Sequence, residues 1–391
     1  NKQEKNNFKV LWFLFDEFDP ELAGQYSKLM PNFQRIKKNA FEHKNFYSPA
    51  KKTNVSVPSQ LMGIAPIGTL VKDRKYYLID QSGVSKEFKF ENTLFNSLLE
   101  KKIFSSIHSS FFPYCKIYLK KNLLQECVDP KLDDRTFIEI LYRPFYENFR
   151  GPIFIFSPIG KINFALNILI KKNKKKLEAS SFKISEDELN KIFKSKLNEN
   201  NLEDVDGFNL VFFESIKKVL SDENNTSFGF FHLMLPHLPS DHAQKKLNLS
   251  FNSLNKPMAQ WENSDHLLSY LINLKYTDFV IKKINQISNN YKDKKNVIII
   301  FSSDHWFRQK NLKDDTQSYP SLLVINFLKD KSKITYDKKS SGNHLSELVK
   351  KIFNEDIKSH KDIENFFDRK DYNEPCKAIE CLEGQKNFWK N

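Results

Sequence analysis

The sequence predicts an α/β fold: a three-layer sandwich with a mainly parallel central sheet and helices on both faces. Two stretches carry that expectation. Asn296 to Arg308, NVIIIFSSDHWFR, runs four apolar β-formers straight into Ser-Ser-Asp-His, and Val10 to Phe18, VLWFLFDEF, runs a second apolar stretch into Asp16-Glu17. Unbroken apolar runs of this length read as strands buried on both faces, as in parallel sheets. Ligands in open α/β sheets collect at the carboxyl ends of strands. Both runs finish in acid-bearing tips that meet if the strands are neighbours.

The other elements follow in order. Met30 to Asn39 reads as a helix with Pro31 in its first turn, a position where the missing proline N–H costs nothing. Phe41 to Tyr47 reads as extended. In Ser48 to Gly63, Lys51–Thr53 reads as a loop entering a helix that holds Ser56–Met62, with Pro58 in its first turn and Gly63 closing it. Residues 107–225 read as a helix-rich insertion. Its Lys171–Lys176 run is a solvated loop. Its most apolar window, Gly151 to Ile170, is broken by Pro158 and Lys161 and reads as a buried helix or hairpin, or as a membrane-facing amphipathic element. Phe208–Leu220 and His266–Tyr291 read as amphipathic helices, the second packing on the sheet ahead of the Asn296 strand. Tyr319–Phe327 reads as another strand. Residues 1–350 form one expected domain, and 351–391 a small appendage closed by Cys376 and Cys381.

Asp304 and His305 have two readings. A carboxylate beside an imidazole at a strand end suits a divalent metal of the Zn or Mn type; the plainer reading is a capping Asp next to an incidental His. Thr53 and Ser56 likewise read either as helix N-caps or as hydroxyls placed where free N–H groups and the helix dipole favour an anion. His232, His237 and His242 fall within eleven residues, in and after the apolar run SFGFFHLMLPHLP. Arg308 offers a fork-shaped donor to an oxyanion or anchors its loop. His344 stands at the start of a predicted helix, as a ligand or as an ordinary polar residue.

Five segments in this order resemble the alkaline phosphatase/sulfatase superfamily, in the sulfatase-like branch that includes bacterial phosphoethanolamine and phosphoglycerol transferases. They are FDEFDP, MPNFQRIKKNAFEHKNFYSPA, TNVSVPSQLMG, HLMLPHLP and FSSDHWFR. The resemblance implies that Asp16, Thr53, Asp304 and His305 hold a divalent cation, Zn or Mn, or Ca in a sulfatase, with Glu17 as a further ligand. It implies Thr53 as nucleophile through a covalent phospho-enzyme and His237 as the group steadying charge or leaving group. It also implies that His232, His242, Arg308 and His344 contact substrate. The nucleophile of that family precedes the closing glycine by ten residues, the separation of Thr53 from Gly63, whereas Ser56 is seven away. Ser56-Val57-Pro58-Ser59-Gln60 resembles the sulfatase signature but carries Gln60 where that signature has Arg, and threonine cannot become formylglycine. A Thr nucleophile shifts the expected substrate from sulfate to phosphate esters. A sulfatase on the same fold and a non-catalytic binding descendant are the alternatives.

Composition bounds the partners. The net charge of +14 comes almost wholly from Lys spread along the chain, and no nucleic-acid module is present. The expected partner is a phosphorylated or sulfated small molecule, lipid or glycan, which a basic surface helps to collect. The four cysteines fall as local pairs, Cys115 with Cys127 and Cys376 with Cys381. Such pairs fit disulfides in an oxidising compartment, or four free cytosolic thiols; the resemblance favours the former and an extracytoplasmic setting. No stretch has 18 uninterrupted apolar residues, so any membrane proximity is expected to come from segments outside this chain.

Overall fold

The computed structural model describes residues 8–73, 75–109, 126–129, 207–222, 227–238, 263–291, 296–308 and 318–376, with positions 112, 114–115, 124, 240, 243–244, 247 and 254. Most of the 107–225 segment, including the 151–170 window and the 171–176 lysines, lies outside the described residues, as do His242 and Cys381.

In chain order the elements are β1 (Phe8–Asp16), α1 (Pro20–Gln25), α2 (Pro31–Lys37), β2 (Phe41–His43), β3 (Phe46–Tyr47), α3 (Thr53–Met62), β4 (Pro66–Lys72), β5 (Lys75–Asp80), β6 (Ser85–Glu87), α4 (Leu94–Glu100), β7 (Phe104–Ser109) and β8 (Glu126–Val128). There follow α5 (Gly207–Ser221), β9 (Ser227–Pro236), α6 (Asn263–Asn289), β10 (Asn296–Ser303), β11 (Leu323–Phe327), β12 (Ile334–Tyr336), β13 (Ser340–Ser341), α7 (Leu345–Phe353) and α8 (His360–Phe367).

An eight-stranded sheet in the order β12-β2-β11-β10-β1-β9-β7-β8 forms the centre. β1 is parallel to both of its neighbours, β10 and β9, and β7 and β8 continue the parallel run. β11 is antiparallel to β10 and to β2. Alternate residues of a strand face opposite sides, and β1 splits its side chains cleanly between the two layers. Val10, Trp12 and Leu14 join one core with Val57 and Leu61 of α3, Leu94 of α4, Leu348 of α7 and Ile363 of α8. Leu11, Phe13 and Phe15 join the other with Phe33 of α2, Phe212 of α5 and Ile281 of α6. Helices therefore cover both faces, which is why β1 and β10 read as continuous apolar runs. The described part of the 351–391 segment contributes α8 residues Ile363, Phe366 and Phe367 to the first of these cores.

Three local outcomes differ from the sequence reading. α3 begins at Thr53 rather than near Ser56 and continues through Pro58, so this proline is interior. Burial of Val55 through Leu61 outweighs the hydrogen bond that Pro58 cannot donate. β11 begins only at Leu323, because Tyr319 to Leu322 is a non-strand lead-in whose Leu322 carbonyl accepts from Ser303 N. His344 closes a short 3₁₀ turn over Gly342–His344 and α7 starts after it. At the far end of α3, Gly63 takes the left-handed conformation that ends a helix, at φ 71° and ψ 33°.

Candidate active site

Three neighbouring parallel strands, β10, β1 and β9, end on one side of the sheet and deliver Asp304, Asp16 and His237 there. Backbone bonds fix the first two ends to each other: Asp304 N donates to Phe15 O at 3.0 Å. Ser303 Oγ reinforces the join, accepting from Phe18 N at 2.9 Å and lying 3.1 Å from Phe15 O.

Asp304 divides its two oxygens. Oδ1 accepts from Glu17 N at 3.1 Å and from His305 N at 2.7 Å. Oδ2 has no hydrogen-bond partner and lies 3.4 Å from His305 Nε2. Asp16 Oδ1 is likewise buried without a hydrogen-bond partner and also lies 3.4 Å from that nitrogen. His305 Nδ1 faces Trp306 O at 3.0 Å. A carbonyl only accepts, so Nδ1 carries the proton and Nε2 presents its lone pair inward. Thr53 Oγ1, at the first position of α3, stands 3.2 Å from Nε2. The structure thus brings Asp16, Thr53, Asp304 and His305 to one point from far apart in sequence.

The electrostatics of this point are unfavourable for three bare groups. Burial, and then the Glu17 charge, push the Asp16 carboxyl up to about 8 against the opposing pull of Arg308. Burial and the Asp16 charge drive Asp304 well above the usual carboxylate range. Burial and the Arg308 charge hold His305 well below the usual imidazole value. A divalent cation relieves all three effects. The donor set fits one: the ligand atoms of Asp16, Asp304 and His305 all lie within 4.8 Å of one another. Two ligands each about 2.1 Å from a tetrahedral ion stand about 3.4 Å apart, close to the spacing seen. The other His/Cys/Asp/Glu grouping among the described residues, Cys115, Cys127 and Asp129, has its two sulfurs tied in a disulfide with Cα atoms 5.8 Å apart. Cys376 is also disulfide-bonded.

Glu17 lies outside the ligand cluster. Its carboxylate is 3% exposed and pairs with Arg308 Nε, and its backbone is left-handed at φ 65°. Arg308 Nη2 reaches His237 Nε2 at 2.8 Å. Arginine only donates, so Nε2 accepts and the His237 proton sits on Nδ1, which bonds Leu238 O. Of the other expected contacts, His242 lies outside the described residues. His232 is buried within β9 with Nδ1 2.9 Å from Tyr114 Oη, and burial holds it down to about 3. His344 Nε2 lies 2.9 Å from Asp371 O, on the 342–344 turn that packs against Gly63.

Several side chains build the site in roles that the sequence does not reveal. Ser56 is buried and donates to Asp304 O. Gln60 Nε2 lies 3.2 Å from both Ser56 Oγ and Ser303 O. These two tie the Thr53 helix to the Asp304 strand end. From α6, Tyr270 Oη accepts from Asp19 N and donates to Glu17 O, both at 2.9 Å, and Asn273 Nδ2 donates to His237 O at 2.5 Å. Their partners are carbonyl and amide groups, which leave no pattern in a sequence.

Comparison with known proteins gives a family match and a shared fold. The Sulfatase family model matches residues 170–342. No curated protein matches the sequence. The soluble domain of lipooligosaccharide phosphoethanolamine transferase A from Neisseria meningitidis aligns with a TM-score of 0.51 at 12% identity, over 89% of this chain and 88% of that one. The C-terminal periplasmic domain of phosphoethanolamine transferase EptC from Campylobacter jejuni aligns with a TM-score of 0.50 at 13% identity, over 89% of each chain. At such identities the likeness to these two transferases is one of fold. The chain carries a Sulfatase family match on an alkaline phosphatase/sulfatase-like fold.

Proposed function

We propose that this chain is a metal-dependent enzyme that cleaves or transfers phosphate esters through Thr53. One observation carries the reading: Thr53 Oγ1 stands 3.2 Å from His305 Nε2, and that nitrogen is 3.4 Å from Asp16 Oδ1 and from Asp304 Oδ2. A hydroxyl at the start of a helix, beside two orphaned buried carboxylate oxygens, is arranged for activation and not for capping.

Asp16, Asp304 and His305 would hold the cation, Zn or Mn by donor chemistry, with Thr53 beside them. When bound, the cation lowers the pKa of a neighbouring hydroxyl and draws negative charge to the site. The Thr53 proton passes to solvent. Thr53 Oγ1 forms a bond to phosphorus while the ester oxygen leaves with the bonding electrons and takes a proton from solvent. Water or an acceptor hydroxyl then attacks the phospho-threonine, releasing Thr53. Arg308 has five N–H donors, of which Glu17 and His237 engage two, so the others are free to meet the phosphoryl oxygens as charge develops. His237 serves by orienting that guanidinium. Glu17 acts as the Arg308 partner in this reading, not as a metal ligand.

The sulfatase alternative needs a modified Ser56. Ser56 is fully buried and bonded to a backbone carbonyl, which favours Thr53. The substrate would be an extracytoplasmic lipid or glycan headgroup, in keeping with the disulfide and with the names of the two structural neighbours. Among the described residues no helix is long and apolar enough to cross a membrane. The test is turnover of phosphate mono- and diesters and sulfate esters by the zinc- or manganese-loaded protein. Phosphate-ester turnover that needs the metal is expected; turnover of sulfate esters alone would overturn the reading.

A further inference from the structure

We infer that Tyr270, assisted by Asn273 one turn on, is the positioning residue that holds Glu17, Arg308 and His237 together as an anion-binding group. This rests on the phosphoryl-transfer reading above.

Glu17 is the strained point. A non-glycine residue in the left-handed region is strained and persists only where its surroundings over-determine it. Here both of its peptide groups are held: Asp304 Oδ1 takes the Glu17 N–H at 3.1 Å, and Tyr270 Oη donates to the Glu17 carbonyl at 2.9 Å. The same phenol accepts from Asp19 N at 2.9 Å, so it braces the chain on either side of Phe18. Without the phenol, Glu17 is free to relax to negative φ, and that rotation carries its carboxylate away from Arg308.

The Tyr270 ring reaches the other partner of the pair. It lies against Phe307, with ring centroids 4.2 Å apart, and Phe307 immediately precedes Arg308. One side chain therefore fixes the carboxylate through a hydrogen bond and the guanidinium through its neighbour's ring. Asn273, three residues further on a helix of 3.6 residues per turn, projects from the same side of α6. Its Nδ2 donates to His237 O at 2.5 Å and lies 3.3 Å from Pro236 O. His237 Nε2 accepts from Arg308 at 2.8 Å. The contacts close a ring from α6 through Glu17, Arg308 and His237 back to α6. It holds the half of the site that would meet phosphoryl oxygens, and both α6 side chains act on backbone carbonyls, not on Asp16, Asp304 or His305.

The test compares Tyr270→Phe, which keeps the ring and loses the hydroxyl, with Arg308→Ala and the parent. Three quantities are read: inorganic phosphate affinity of the zinc-loaded protein, zinc affinity of the metal-free protein, and the KM–kcat split on whichever phosphate ester the parent turns over. Tyr270→Phe is expected to weaken phosphate about tenfold, the scale of losing a hydrogen bond that sets a charged contact. KM should rise more than kcat falls, and zinc affinity should stay within about threefold. Asn273→Ala, which removes the bond to the His237 carbonyl, should give the same pattern should Tyr270→Phe fail to fold. If Arg308→Ala abolishes phosphate binding while Tyr270→Phe and Asn273→Ala leave it intact, the inference falls and the functional reading stands. If Tyr270→Phe lowers zinc affinity, phosphate affinity and melting temperature together, Tyr270 is merely structural and the inference falls. If Arg308→Ala itself binds phosphate like the parent, the underlying reading falls with it.

Discussion

The two halves of the site are built differently. Asp16 ends β1, and Asp304 and His305 follow the end of its neighbour β10 by one and two residues; the two strands are bonded to each other and all three side chains are buried. Glu17 and His237 each follow a strand end by one residue and Arg308 follows β10 by five, and these three are held by one another and by α6. The ligand half is fixed by the sheet, so its geometry survives the loss of any one side chain. The anion half is a ring of side-chain bonds, so each member depends on the next. A cation site needs rigid donors at fixed spacing; a site for a reacting phosphoryl group needs donors aimed at the charge as it develops.

This contrast sets the expected size of each perturbation. Thr53→Ala should reduce phosphate-ester turnover by about 10³-fold or more, as loss of a nucleophile does, with zinc binding measured by calorimetry retained through Asp16, Asp304 and His305. Ser56→Ala removes only a tether and should cost less than about tenfold. If Ser56→Ala were the dead variant, the assignment of the nucleophile would be reversed.

Arg308→Ala comes next, with a loss of about 10²-fold and little change in zinc affinity. Equal losses of zinc and phosphate binding would erase the distinction between the halves.

Asp304→Asn tests the ligand half through stability. Burial and the Asp16 charge both raise Asp304, so the metal-free protein carries a desolvation and repulsion cost that the neutral amide removes. Its metal-free melting temperature should rise by a few degrees, while the stabilisation that zinc gives the parent should disappear. A drop in metal-free stability would show that the carboxylate is not repelled there.

The smallest effect on activity, and a measure of burial acting alone, comes from His43. It lies in a cage of aromatic rings, with Tyr336 at 4.8 Å and Phe367 at 5.1 Å. Both ring nitrogens lack hydrogen-bond partners, and burial lowers it to about 3. Its neutral form is favoured by folding, so this stability is complete above the unfolded value near 6.5 and drains away as pH falls toward 3. The integrated loss is on the order of 5 kcal/mol. His43→Leu should shift acid unfolding to lower pH while leaving turnover near neutral pH unchanged.

The same division decides what the sequence reveals. The strand-borne half is legible because a strand buried on both faces must be apolar throughout, so the first acids after the run stand out, as Asp16 and Asp304 do. The start of α3 is less legible: Pro58 suggests a first turn, yet burial of Val55, Val57 and Leu61 extends the helix back to Thr53. The anion half is legible in its members, since Arg308 and His237 stand out as candidates, but not in its arrangement. The left-handed turn at Glu17, the Arg308–His237 bond and the Tyr270 brace arise from long-range packing, and Glu17 reads naturally as another ligand until its carboxylate is found on Arg308.

The central claim is that Thr53 becomes the covalent carrier of the phosphoryl group. The direct measurement is mass analysis of the zinc-loaded protein quenched during turnover of a phosphate ester, followed by fragmentation of the peptide that holds Thr53 and Ser56. A phosphoryl adduct on Thr53 that is absent from the Thr53→Ala variant is the predicted result. An adduct or a formylglycine at Ser56, with Thr53 unmodified during active turnover, would contradict the account.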